Sequence, residues 1–127
     1  MTPAGPLSTK GKGDRAEETA AAYLRRQGYR ILARNYRCRG GEIDIIAEEG
    51  RVLCFVEVRS VASRAFGDPL ETVDATKQRR VIHAARNYLG VKRITDREIR
   101  FDVIGIVYQP ELSITLVRGA FETGFYW

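Results

Sequence analysis

Two periods organise the hydrophobic and polar positions of this chain. From Asp14 to Gln27 the apolar residues Ala16, Ala20, Tyr23 and Leu24 recur at three and four residues, which predicts a helix ending before Gly28. Residues 29–36, YRILARNY, alternate and predict an outer strand, followed by a basic turn from Arg37 to Gly41. Two apolar runs, Ile43 to Ala47 and Val52 to Val58, flank the acidic tip Glu48-Glu49-Gly50 and predict a β-hairpin. After Arg59 the stretch SVASRAFGDPLETVD reads as a loop of about fifteen residues, long for a compact domain and more often functional than idle. Ala75 to Leu89 reads as a second helix, with Asp74 as its cap, Val81, Ile82, Ala85, Tyr88 and Leu89 as its buried stripe and Gly90 as its stop. Ile99 to Val107 and Leu112 to Val117 are the last strands. The order is helix, three strands, helix, two strands, an α/β chain. Its βαβ unit makes the third and fourth strands parallel in a sheet that begins antiparallel.

The hairpin carries the chemistry. A two-residue loop at Glu49-Gly50 sets Ile46 opposite Leu53, Asp44 opposite Phe55 and Glu42 opposite Glu57. Alternation then collects Ile43, Ile45, Ala47, Val52, Cys54, Val56 and Val58 on an apolar face, and Asp44, Ile46, Leu53, Phe55, Glu57 and Arg59 on the other. On that second face Asp44 and Glu57 are diagonal neighbours about 7 Å apart, which lets two carboxylates converge on one divalent cation. An odd loop would part the acids and lay an apolar face over a charged one, so register favours the even loop. The alternative is a solvated face with two unrelated acids. Glu17 also has two readings: partner of Asp14 in a helix-capping arrangement, or an acid aimed from the helix at the sheet. Asp102 either touches the site or pairs with Arg100 or Arg59. His83 falls outside the helix stripe and reads as a surface residue.

Composition narrows the class. The 127 residues, 44% hydrophobic and 29% charged, suit one domain, with residues 1–12 as a flexible tail and 13–127 as the folded unit. The first dozen residues hold no apolar segment of about 7 to 15 residues, and no run nears the roughly 20 a membrane helix needs, so no signal peptide, no membrane partner and a cytoplasmic location are expected. The two cysteines, Cys38 and Cys54, lack CxxC spacing, and Cys54 lies on the apolar face, as a reduced thiol would. Lys and Arg number 21 against 16 acids, a net charge of +5. Arg34, Arg37 and Arg39 precede the hairpin, Arg59 and Arg64 follow it, and Lys77, Arg79 and Arg80 open the later helix. The bases therefore ring the acids. They read as a polyanion-binding rim or as solubilising charge. The C-terminal aromatics Phe121, Phe125, Tyr126 and Trp127 pack on the core or offer rings to bases.

GEID at Gly41 to Asp44, FVEVR at Phe55 to Arg59, Phe66-Gly67, Lys77-Gln78 and RFDV at Arg100 to Val103 together resemble the YraN-like bacterial family of uncharacterised proteins, over nearly the whole chain from about residue 10. That family looks like a branch of the PD-(D/E)xK nuclease superfamily, similar in fold to restriction endonucleases and archaeal Holliday-junction resolvases. The resemblance implies a restriction-endonuclease-like α/β core in αβββαβ order, a mixed central sheet flanked by helices. It implies a metal-dependent endonuclease acting on DNA phosphodiesters, branched or junction DNA among them. Asp44 matches the motif aspartate, Glu57 the second acid and Glu17 the first-helix glutamate, and the three would hold Mg²⁺ or Mn²⁺ with help from the Val58 carbonyl. Arg59 departs from the pattern, since the motif has lysine there. A guanidinium neutralises charge on a phosphate but is a poor proton acceptor. Lys77 is the residue placed to lend the missing ammonium, which makes Asp44, Glu57, Arg59 and Lys77 the catalytic set. Arg37, Arg39, Arg64, Arg79 and Arg80 would bind the nucleic acid, DNA first. The alternative, favoured by Arg59, is a nucleic-acid-binding module that cuts nothing; a third is an interaction protein that docks through its C-terminal aromatics. Junction-cutting relatives act as symmetric dimers, so the analogy adds a homodimer.

Overall fold

The computed structural model describes residues 9–123. One five-stranded sheet runs in the order β1 (Arg30–Cys38), β2 (Gly41–Glu49), β3 (Val52–Ser63), β4 (Ile99–Gln109) and β5 (Ser113–Phe121). Helix α1 (Thr9–Arg26) precedes the strands and α2 (Ala75–Val91) joins β3 to β4, so the αβββαβ order is present with a further strand after it. β3 and β4 are parallel and the other neighbours antiparallel, as the βαβ unit requires. Among the described residues no helix is long and apolar enough to cross a membrane.

Each face of the sheet has its own core. α1 lays Ala16, Ala20, Ala21 and Leu24 on Ile45, Ala47, Cys54, Val56, Ile104 and Ile106. α2 lays Val81, Ile82, Ala84, Ala85 and Tyr88 on Ile43, Ile46, Leu53, Phe55 and Phe101. Every fully buried Leu, Ile or Phe here contributes about 1.5–3 kcal/mol relative to exposure. Cys54 is buried and unbridged, and burial pushes its thiol up to about 12. Phe121 stacks on Phe101 at 5.1 Å between ring centroids, while Phe125, Tyr126 and Trp127 lie outside the described residues.

The departures from the sequence reading have physical causes. α1 starts at Thr9, ahead of the expected Asp14, through glycines at 11 and 13 whose poor helix propensity argued for a later start. Of the expected tail, residues 1–8 lie outside the described residues. The hairpin turn is Gly50-Arg51, so Ile46 opposes Phe55 and Glu48 opposes Leu53. Gly50, at φ 60, takes the first central position of the turn, where type II′ hairpins place glycine. This slip of two residues keeps the parity of the faces. β3 continues past Arg59 to Ser63 because Ser60, Val61 and Ser63 pair with Ile106, Val107 and Gln109. The expected long loop thus shrinks to two 3₁₀ turns, Arg64–Phe66 and Pro69–Thr72, and their caps. α2 starts as expected, the Asp74 carboxylate accepting from the Lys77 N–H at 2.9 Å. It passes through Gly90 and ends where Arg93 turns left-handed at φ 56, with the Ile94 N–H donating to the Leu89 carbonyl at 2.9 Å.

Ile43 is the one residue the alternation misassigned. It packs on the α2 side although Ile45 packs on the α1 side. β1 inverts at the same level, since Ala33 and Tyr36, three apart, share the α2 side. Between them Asn35 holds φ 54, a left-handed conformation asparagine tolerates, and the ladder places it across from Asp44. Both strands change face there.

Candidate active site

Asp44 stands where β2 and β3 part. Their ladder ends at Ile45–Val56, and one step further Asp44 faces Glu57. With strand pairing ended, the Val58 N–H donates to Asp44 Oδ2 at 2.8 Å instead of to a β2 carbonyl. Glu57 is 1% exposed, and its Oε1 has no hydrogen-bond partner. Burial raises Asp44 above the ordinary aspartate range. Glu57 is pushed up to about 8, first by burial and then by the Asp44 charge, against Lys77 and Arg59. Two buried carboxyls set side by side do not both ionise readily, which favours a proton on Glu57.

Two cations bear on this pair. Lys77, in the first turn of α2, sets Nζ 3.4 Å from Glu57 Oε2 and 3.5 Å from Glu42 Oε2. Arg59, two residues along β3, sets Nη1 3.4 Å from the same Glu57 oxygen, while its Nε donates to Thr72 Oγ1 at 2.6 Å. Gly41 lets β2 come this close to α2: a Cβ there would stand 2.4 Å from the Arg80 carbonyl oxygen and 2.9 Å from the Ala84 nitrogen. These groups line an open cleft of about 700 Å³ that also takes in Asp14, Glu17, Asn35 and Arg37.

Glu17 lies inside α1, so it caps nothing. It is 7% exposed, its Oε1 lies 3.5 Å from Arg34 Nη2 without hydrogen-bonding, and burial, then the Asp44 charge, raise its pKa. Glu42 and Asn35 were missed as site residues. Glu42 was legible as an acid two positions from Asp44 on one strand, whereas Asn35 carries no sequence signal beyond its residue type.

The comparisons place this geometry in a family. The profile of the uncharacterised protein family UPF0102 matches residues 16–106. The chain belongs to UPF0102. A UPF0102 protein of Myxococcus xanthus is 41% identical over 125 residues, covering 98% of this chain and 99% of its own. Those of Geobacter metallireducens and Syntrophus aciditrophicus are 42% and 46% identical, over 94% and 89% of this chain and 98% and 90% of theirs.

In this UPF0102 chain the site residues GEID and FVEVR therefore lie within the matched span, as do Glu17 and Lys77. Among the described residues no three His, Cys, Asp or Glu side chains stand close enough to enclose a metal ion. Asp44 and Glu57 make a two-carboxylate site, with Glu17 lining the same cleft. Such a site suits Mg²⁺ or Mn²⁺, because Mg²⁺ keeps several waters and takes one or two carboxylates plus substrate phosphate. The buried Glu57 Oε1, lacking any partner, is the observation that fits a ligand.

The expected rim divides. Arg37 lines the cleft and pairs with Glu42 at 3.8 Å. Arg79 and Arg80 line a separate groove of about 360 Å³ with His83, Arg86 and Gly40, and the Arg39 carbonyl, in the turn beside it, meets His83 Nε2 at 2.9 Å. His83 is exposed, as expected. Arg64 stands apart, donating to Ser113 Oγ at 3.2 Å. Asp102 belongs to no cleft: fully buried, it accepts from Tyr29 Oη at 2.8 Å, Arg100 Nε at 2.8 Å and the Gly119 N–H at 3.0 Å.

Proposed function

We propose that this chain is a metal-dependent endonuclease of the PD-(D/E)xK type, acting on DNA phosphodiesters. The observation that carries this reading is the buried Glu57, with an unpartnered oxygen, held against Asp44 beneath Lys77 and Arg59 at the mouth of a cleft that Arg37 rims. Asp44 and Glu57 would hold the cation, with Glu17 and Glu42 as further carboxylates lining the same cleft. A bound Mg²⁺ or Mn²⁺ supplies Lewis-acid polarisation of the phosphodiester and a more acidic bound water. Lys77 takes the place the motif lysine would fill: its ammonium orients the nucleophile and meets the charge that develops on the phosphate. Arg59, always protonated, neutralises phosphate charge and transfers no proton. Arg37 and the Arg79–Arg80 groove steer the backbone, and a junction substrate would bring a second copy of the chain as its symmetric partner.

The test is cleavage of a panel of linear, flapped and four-way-junction DNAs by the purified protein with Mg²⁺ or Mn²⁺. Cutting should be abolished by EDTA and by Asp44→Asn, while Asp44→Asn binds DNA in EDTA as well as wild type or better, having lost a charge that repels phosphate. The second reading, a nucleic-acid-binding module, is favoured by the lack of a third acid closing on the pair among the described residues. Binding without cutting across the panel would select it.

A further inference from the structure

Beside the carboxylate cleft, further along β3 and α1, lies a second cavity of about 440 Å³ bordered by Arg15, Ser60, Phe66, Tyr108 and Gln109. The two share their scaffold: Asp14 and Val58 face the first, Arg15 and Ser60 the second, and Val58 and Ser60 are about 7 Å apart along the strand. Phe66 is 74% exposed, the most exposed large hydrophobic among the described residues. Its turn is nonetheless fixed. Ser63 Oγ accepts from the Ala65 N–H at 3.2 Å, the Gly67 N–H donates to the Arg64 carbonyl at 3.0 Å, and Asp68 Oδ1 accepts from the Leu70 N–H at 2.9 Å. A large ring in water on an ordered turn costs little further entropy when something stacks on it. Inside, the Arg15 guanidinium lies 4.3 Å over the Tyr108 ring, and the buried Tyr108 hydroxyl has no hydrogen-bond partner. No acid lines the cavity among the described residues.

We propose that this cavity takes an unpaired nucleobase from the same nucleic-acid strand whose phosphate enters the carboxylate cleft. This rests on the nuclease reading of that cleft and adds to it a substrate class, a strand unpaired next to the cut. A base has a π-face for Phe66 and a hydrogen-bonding edge for Ser60, Gln109 and Tyr108, and its backbone is an anion for Arg15. A purely apolar partner would leave those polar groups unmatched.

The test is equilibrium binding in EDTA to oligothymidylate and to an abasic backbone of the same length. Wild type should prefer the base-bearing strand. Phe66→Ala should lose about tenfold on that strand and nothing on the abasic one, within the range for one stacked base. Phe66→Trp should keep the preference, with its indole fluorescence quenched on binding. An undiminished preference in Phe66→Ala, or an equal loss on both strands, would overturn the proposal; so would thymidine monophosphate competing as well as the strand, which would make this a free-nucleotide site. Because the readout needs neither metal nor cutting, the two readings fail separately. Cleavage without base preference removes this inference alone, base preference without cleavage removes the nuclease alone, and no binding to any strand removes both.

Discussion

Glu57 pits stability against function. Its pKa lies well above that of an exposed glutamate, so the native chain binds a proton between about pH 4.5 and 8 that the unfolded chain releases. Stability from this residue is complete below that window and is lost as pH rises through it. Without divalent cation, Tm should therefore fall between pH 5 and 8.5, and Glu57→Gln should flatten the fall and melt several degrees higher at pH 8; a melting scan against pH checks this, and a parallel decline in the variant would assign the effect elsewhere. Lys77 and Arg59 separate in the same way. With the Lys77 ammonium already 3.4 Å from Glu57, Lys77→Ala should cost about 10²-fold in cleavage rate, whereas Arg59→Lys should change it little. A large gain in Arg59→Lys would return the catalytic role to the strand. At this level Asp44 and Glu57 were legible because charged residues on a predicted face are few, whereas Lys77 was legible only as a base opening the second helix and through the family resemblance. Asn35 was not legible, since its part depends on a left-handed backbone that only the paired strand demands.

The elements were legible wherever one period dominates: both helices, the hairpin and the parallel β3–β4 pair. What escaped depends on a partner. β3 runs on to Ser63 only because β4 is there to pair with it, and the hairpin slipped by two because a glycine has two allowed places in a two-residue turn. The change of face at Asn35 and Asp44 breaks the strand period itself, and it is this break that turns Asp44 toward the cleft. Gly41 gives the sharpest test of how β2 meets α2. Gly41→Ala drives a methyl into the Arg80 carbonyl, and overpacking of this kind costs about 1–3 kcal/mol. Chemical denaturation should show the midpoint falling in that measure; an unchanged midpoint would mean that the two elements are farther apart.

Across the whole molecule five acids, Asp14, Glu17, Glu42, Asp44 and Glu57, line one cleft, while basic residues reach from Arg37 in that cleft to the Arg79–Arg80 groove. Nucleic-acid affinity should then fall steeply with salt, with a log–log slope of about −0.9 per phosphate neutralised, and Arg80→Ala should reduce its magnitude by about 1. A slope near zero would deny the groove any backbone contact. The fold class and the family could be reached from the sequence, because spaced motifs span most of the chain; the division of the arginines could not, because Arg64 and Arg37 look alike until the sheet sends one to β5 and the other to the cleft. The proposed chemistry rests on Asp44 and Glu57 exchanging the proton that burial favours on Glu57 for a divalent cation. Calorimetric titration of the DNA-free protein with Mn²⁺ measures that exchange. Binding should strengthen from pH 6 to pH 8, release protons and vanish in Asp44→Asn; no binding at pH 8, or equal binding by the variant, would contradict the assignment.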